Sequence, residues 1–174
     1  MKFPEESLWL IGRISEKLMA RNIRLGTAES CSGGLASVLC TSIPGSSRWF
    51  AGAVVAYANS VKTGVLGVDK ALIDNHGAVS GPVVEAMAGG ALRVLGVRVS
   101  LAVSGIAGPE GGTANKPVGT VWIATAVYPE ACPDGHAANE PVLRSFCRHF
   151  PGFRDDVRFG AALAALEAVD LALA

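Results

Sequence analysis

Between Gly26 and Ser37 the chain reads GTAESCSGGLAS, which holds three serines, a cysteine, a glutamate and two adjacent glycines. An ordinary turn needs one or two such residues, so the excess points to a ligand or a reaction. If Ser30 lies in a sharp strand-to-helix turn, the amides that follow it, from Cys31 through Ser32 and Gly33 to Gly34, face an oxygen that becomes negative during acyl transfer. The plainer alternative is that Ser30 or Ser32 caps the helix, a common use of serine. GxSxG is absent, and the three histidines, His76, His136 and His149, fall in polar loops or near a strand end. A Ser-His-Asp set is therefore unsupported.

A serine without a histidine needs another base, and the usual substitute is a lysine kept neutral by burial or by neighbouring cations. Lys2 and Lys17 belong to the first helix or its lead-in, Lys70 to an exposed helix start, and Lys116 to a glycine-rich loop. Lys62 follows the apolar run AGAVVAYAN and comes five residues after Tyr57. A strand end followed by a helical turn would aim both side chains into one pocket, a composition that fits a proton relay. The alternative is a rim tyrosine beside a solvated lysine.

SGIAGPEGG, Ser104 to Gly112, is a glycine-rich loop after a strand. It lacks GxxxxGK[ST] and is not a Walker loop. Its backbone amides either line a nucleotide or sugar phosphate, or simply form a surface turn. Arg154 and Arg158, four apart at the start of the last helix, share a face. One of them clamps a phosphate, or both pair with Asp155 and Asp156.

These residues need elements to hold them. Leu8, Ile11, Ile14 and Leu18 recur at three and four, predicting a helix from about Pro4 to Ala20. A short strand in IRLGTAE leads into a helix in GGLASVLCTSI that ends before Pro44. WFAGAVVAYAN reads as a second strand, followed by short helical pieces in SVKTGVLGV and KALIDNHG. Ser80 opens a longer helix, GPVVEAMAGGALRVLG, whose Gly89 and Gly90 suggest close packing against a neighbour. VRVSLAVSGIAG and VGTVWIATAVY predict a hairpin-like or neighbouring pair of strands, VLRSFCRHF a further strand, and RDDVRFGAALAALEAVDLALA a closing helix. Strands alternating with helices give a three-layer α/β/α sandwich around a mixed, mostly parallel sheet of about five strands.

Length and composition set the bounds. With 174 residues, 50% hydrophobic, 17% charged, 21 glycines and 6% aromatic, the chain suits one tightly packed domain spanning residues 1–174. Lys plus Arg and Asp plus Glu both number 15. That balance disfavours nucleic acid as a partner and still leaves room for local positive charge. Cys31, Cys40, Cys132 and Cys147 form no CxxC pair, so a zinc site is not expected. No apolar run is long enough to span a bilayer, and the chain reads as soluble, reduced and cytoplasmic, with no membrane partner. Many small residues make a homo-oligomer plausible.

Taken together, TAESCSGG, GSSRWFAGAVVAYANSVK, HGAVSGPVVEAMAGGAL, SGIAGPEGGTANKPVGTVW and FPGFRDDVR occur in the order found in the CinA C-terminal domain family, which this chain resembles over nearly its whole length. The SGIAGPxGG to KPVGTV block is the most specific part. The resemblance implies an amidohydrolase that converts nicotinamide mononucleotide to nicotinic acid mononucleotide and ammonia in pyridine-nucleotide recycling, through a Ser/Lys dyad, with no metal and no cofactor. Carried onto this sequence, it makes Ser30 the nucleophile, Lys62 the general base and Tyr57 its neighbour, with Ser47 the second serine to test. Substrate contacts would come from Cys31, Ser32, Gly33, Gly34 and Ser47, from Ser104, Gly105, Ala107, Gly108, Gly111 and Gly112, and from Arg154. The chain looks like the stand-alone form, without the additional N-terminal domain and pyrophosphatase activity of longer members. The segment from Pro129 to Glu140 reads as a lengthened loop at a rim or oligomer contact. A competing expectation is a non-catalytic module that binds nucleotides or a competence- or DNA-damage-associated partner.

Overall fold

The computed structural model describes residues 3–129 and 140–174. The expected lengthened loop falls mostly on residues 130–139 and so lies outside the described residues, as does His136. In chain order the elements are α1 (Glu5–Ala20), β1 (Leu25–Glu29), α2 (Leu35–Cys40), a 3₁₀ turn (Ser46–Arg48), β2 (Phe50–Val55), α3 (Asn59–Gly64) and α4 (Lys70–His76). They continue with α5 (Gly81–Leu95), β3 (Val99–Gly105), β4 (Thr120–Val127), β5 (Val142–His149) and α6 (Arg154–Ala172). The five strands form one sheet in the order β2-β1-β3-β4-β5. β1 pairs in parallel with both β2 and β3, and β4 runs antiparallel to β3 and β5. Four strands therefore point one way and only β4 opposes them, which gives the mixed α/β/α sandwich that the alternation of elements implies.

Period-two alternation sorts the strands' side chains between two unlike faces. Leu25, Val99, Leu101, Val103, Val121 and Ile123 pack against α1, α2 and α6. The other face carries Ala28, Ala102, Ala124 and Ala126 against α5. Its small residues let α5 lie close. A Cβ on Gly26 would stand 2.6 Å from Leu95 Cδ1, and the buried Ser100 hydroxyl donates to the Ala88 carbonyl at 2.7 Å.

The two glycines of α5 differ. A Cβ on Gly90 would meet the Leu66 carbonyl oxygen at 2.2 Å, whereas on Gly89 it would meet nothing nearer than an Arg93 nitrogen at 3.7 Å. Close packing accounts for Gly90 alone. Ser80 precedes α5, yet its hydroxyl donates back to the Gly77 carbonyl at 2.8 Å and caps nothing.

Candidate active site

Three parallel strands end side by side, and a cleft of about 230 Å³ opens at their C-terminal edge. In open α/β sheets ligands gather at this edge. Ser30, Cys31, Tyr57, Lys62, Ser104 and Arg154 are among its lining residues. A larger hollow of about 530 Å³ lies at the opposite edge, but its arginines already donate to carbonyls, Arg21 to Leu173 and Arg98 to Tyr128 and Pro129.

Ser30 is the first residue beyond β1. Its N–H donates to Val103 O at 2.9 Å, which extends the ladder with β3 by one bond. The chain then folds back, with Gly33 N–H donating to Ser30 O at 3.0 Å. Gly33 and Gly34 take φ values of +63° and +95°, where a side chain would be strained. This turn leaves Ser30 on the cleft wall, 8% exposed.

Neither Ser30 nor Ser32 caps α2, whose N-cap is Gly34 in the left-handed region with no side-chain bond. Ser32 points inward, fully buried, and donates to Glu29 at 2.8 Å. Glu29 is the polar residue that the sequence reading missed. Its buried carboxylate accepts from the Thr27, Ser32 and Ser37 hydroxyls and from the Ala36 and Ser37 amides. The available signal was an acidic residue closing a short strand with no other charged residue.

Lys62 lies on α3 and is buried at 2% exposure, not solvated. Its Nζ reaches back to the end of β2 and donates to the carbonyls of Ala56 at 2.9 Å and Tyr57 at 3.1 Å. Burial lowers its pKa from the usual 10.5, and the nearby Cys31 weakly opposes that shift. A charged amine that loses water and gains only neutral acceptors releases its proton more readily. Two donated bonds leave one tetrahedral position on the nitrogen for a lone pair or a third proton.

Tyr57 meets Lys62 through its backbone carbonyl and not through its phenol. The ring stands 61% exposed at the rim, and its hydroxyl accepts from Arg154 Nη2 at 3.1 Å. Arg154 Nη1 donates to the Gly108 carbonyl at 2.7 Å. Its guanidinium therefore bridges Tyr57 and the loop at Gly108, and among the described residues no carboxylate pairs with it. Arg158 is used differently, with one bond to Asp155 at 3.1 Å and another to the Ser32 carbonyl at 3.4 Å.

Of the expected glycine-loop contacts, Ser104, Gly105 and Ala107 line the cleft, Gly108 touches it through Arg154, and Gly111 and Gly112 do not line it. The Ser104 hydroxyl donates to Ala78 O at 2.7 Å, and Lys116 Nζ donates to the carbonyls of His76 and Val79. These bonds fix Ala78 and Val79 as a further wall, which motif reading did not anticipate; Asn59 is another lining residue it missed. Ser47 lies on the exposed 3₁₀ turn before β2, at the opposite edge of the sheet, so it is not brought to the cleft. Cys31 lines the cleft, but burial pushes its thiol up to about 12 despite its own amide and that of Ser32, so it is not a ready thiolate.

Among the described residues no group of His, Cys, Asp and Glu could hold a metal ion, and no helix is long and apolar enough to cross a membrane. The model of the CinA C-terminal domain matches residues 9–173. A CinA-like protein of Gemmatimonas aurantiaca is 45% identical over 88% of this chain, and one of Mycobacterium tuberculosis is 49% identical over 78%. The chain covers 33% and 29% of those two proteins, about a third of their length. Among solved structures, the competence/damage inducible protein CihA of Agrobacterium tumefaciens superposes with a TM-score of 0.86 at 35% identity, covering 99% of this chain and 98% of that one. A CinA superfamily protein of Klebsiella pneumoniae gives 0.84 at 31% identity, covering 96% of this chain and 97% of the other. This chain belongs to the CinA C-terminal domain family.

Proposed function

We propose that the chain is an amidohydrolase that converts nicotinamide mononucleotide to nicotinic acid mononucleotide and ammonia, with Ser30 as nucleophile and Lys62 as general base. The observation that carries this reading is a lysine 2% exposed, with a lowered pKa, in the same cleft as a serine at the end of β1. A buried amine with only neutral hydrogen-bond partners is what base catalysis without histidine requires.

Neutral Lys62 takes the Ser30 proton as Oγ attacks the carboxamide carbon. The C=O electrons move onto oxygen, and backbone amides of the turn after Ser30, other than that of Gly33, which is bonded to Ser30 O, stabilise that charge. Protonated Lys62 then donates to the leaving nitrogen, the C–N bond breaks, ammonia departs and an ester on Ser30 remains. Water attacks the ester while Lys62 accepts its proton. The second tetrahedral species collapses to the acid and returns the proton to Ser30. Arg154, which pairs with no carboxylate among the described residues, supplies a cation at the cleft for the substrate phosphate.

Ammonia release from nicotinamide mononucleotide tests the assignment. Near-complete loss in both Ser30→Ala and Lys62→Ala is expected. Full activity in either variant contradicts the dyad, and calorimetric binding without turnover by the parent chain favours a nucleotide-binding module instead.

A further inference from the structure

We infer that Glu29 is the positioning residue of the Ser30 turn, a role that rests on the reading of Ser30 as nucleophile. The carboxylate belongs to the last residue of β1, is 0% exposed, and accepts five hydrogen bonds from neutral donors. Oε1 takes the Thr27 hydroxyl at 3.1 Å, the Ser37 amide at 2.9 Å and the Ser37 hydroxyl. Oε2 takes the Ser32 hydroxyl at 2.8 Å and the Ala36 amide at 3.0 Å. No ion pair among the described residues involves it, so charge neutralisation is not its purpose.

These bonds join both ends of the same turn. One end is Glu29 itself, covalently linked to Ser30 and fixed to β2 through the Ala56 N–H bond to its carbonyl at 2.7 Å. The other end is the first turn of α2, whose amides lack a cap from Gly34. Ser32 ties the middle of the turn to the same carboxylate, and Arg158 holds the Ser32 carbonyl from outside at 3.4 Å. Residues 30–34 are thus clamped between a buried anion and a surface cation. The clamp sets where Ser30 Oγ stands and where the following amides point. A displaced nucleophile of about 1 Å costs on the order of 100-fold in rate.

Glutamine at position 29 keeps the volume but turns one oxygen into a donor facing donors, so the clamp opens on one side. Glu29→Gln is expected to lower kcat by about 100-fold with KM within about threefold. The alkaline rise of the pH profile set by Lys62 should stay largely in place, because the Glu29 carboxylate bonds the turn and shares no hydrogen-bond partner with the Lys62 amine. Exchange of the Gly33 amide, which donates to Ser30 O, should quicken, while amides of α5 keep their protection. A folded Glu29→Gln protein with wild-type kcat and wild-type Gly33 exchange overturns the inference. A large shift of the pH midpoint with kcat at its plateau unchanged also overturns it, since Glu29 would then act on the Lys62 proton and not on the position of Ser30. If Glu29→Gln does not fold, Ser32→Ala and Ser37→Ala carry the test. Each is expected to lose about fivefold in kcat, the loss of one hydrogen bond to the carboxylate, and to quicken Gly33 exchange, and wild-type values in both refute the role. Should the wild-type chain release no ammonia, the proposed function fails, and Gly33 exchange in the variants then decides the clamp by itself.

Discussion

Lys62 Nζ and the carbonyl oxygen of Ala56 stand 2.9 Å apart, with the Tyr57 carbonyl at 3.1 Å on the same nitrogen. The amine is thus held by the two residues that follow β2, the strand that neighbours β1, in the cleft that Ser30 also lines. Both acceptors are neutral, and neither compensates a full charge as water would.

The rate and the stability therefore respond to pH in the same direction. Turnover needs the neutral amine, so kcat/KM rises with pH through the Lys62 pKa, which burial places below 10.5. Between the folded pKa and the ordinary one, the unfolded chain binds more protons than the native state. Stability then rises with pH by at most about 1.4 kcal/mol per unit in that window. Below the folded pKa the full cost of burying a charged amine is present, and above the ordinary value it is gone. Urea denaturation of wild type and Lys62→Met across this range checks the sign: wild type should gain on the variant as pH rises. A constant difference would mean that Lys62 keeps its ordinary pKa.

Tyr57 and Arg154 should separate from the dyad kinetically. The phenol touches the guanidinium at 3.1 Å and not the Lys62 amine. Tyr57→Phe is expected to leave kcat within about twofold and to raise KM by about two- to fivefold, the loss of one exposed hydrogen bond. Arg154→Gln should raise KM for the mononucleotide by about 10- to 100-fold and leave nicotinamide riboside little affected. Steady-state kinetics on both substrates decides, and a large kcat loss in Tyr57→Phe would return the phenol to proton transfer.

Much of this site is legible in the amino-acid sequence. The apolar period of three and four in Leu8 to Leu18 located α1, and the short β-rich runs around VSLAVSG and TVWIATAV located β3 and β4, strands buried on both faces. The excess of serine and glycine after β1 located the turn. What the sequence did not disclose depends on contacts between distant residues. Glu29 looks like any strand-end acid until its five donors converge on it. Tyr57 and Lys62 share a contact through a backbone carbonyl, which residue identity does not reveal. Ser47 falls in one of the blocks that carry the family resemblance, yet parallel register puts it beyond the N-terminal end of β2, a full strand length from the cleft.

The paired glycines of α5 make a sharp stability contrast. Gly90→Ala drives a methyl to 2.2 Å from the Leu66 carbonyl oxygen, a backbone atom that cannot rotate away. A loss of about 3 kcal/mol or more is expected from such overpacking. Gly89→Ala meets no obstacle and should gain up to about 1 kcal/mol from helix propensity. Thermal denaturation of the two variants side by side checks this, and equal shifts would mean that α5 does not approach Leu66 as described.

Asp170 ties α6 to α1. Burial alone would raise its pKa, but hydrogen bonds from Lys17 and Arg13, at 2.7 and 2.9 Å, outweigh that and hold the carboxyl below 3.8. The stabilisation is present above the ordinary carboxyl pKa and is lost as pH falls through the lower folded value. Asp170→Asn should cost about 1–3 kcal/mol at pH 7, and the deficit should shrink in acid. Denaturation at pH 7 and pH 3 measures it; an undiminished deficit at low pH would assign the effect to packing.

The most direct measurement is ammonia release from nicotinamide mononucleotide by wild type, Ser30→Ala, Ser47→Ala and Lys62→Ala, with each variant's fold verified. The account predicts turnover in wild type and Ser47→Ala, and near-complete loss in the other two. Turnover that survives Lys62→Ala, or that vanishes with Ser47 and not with Ser30, would contradict it.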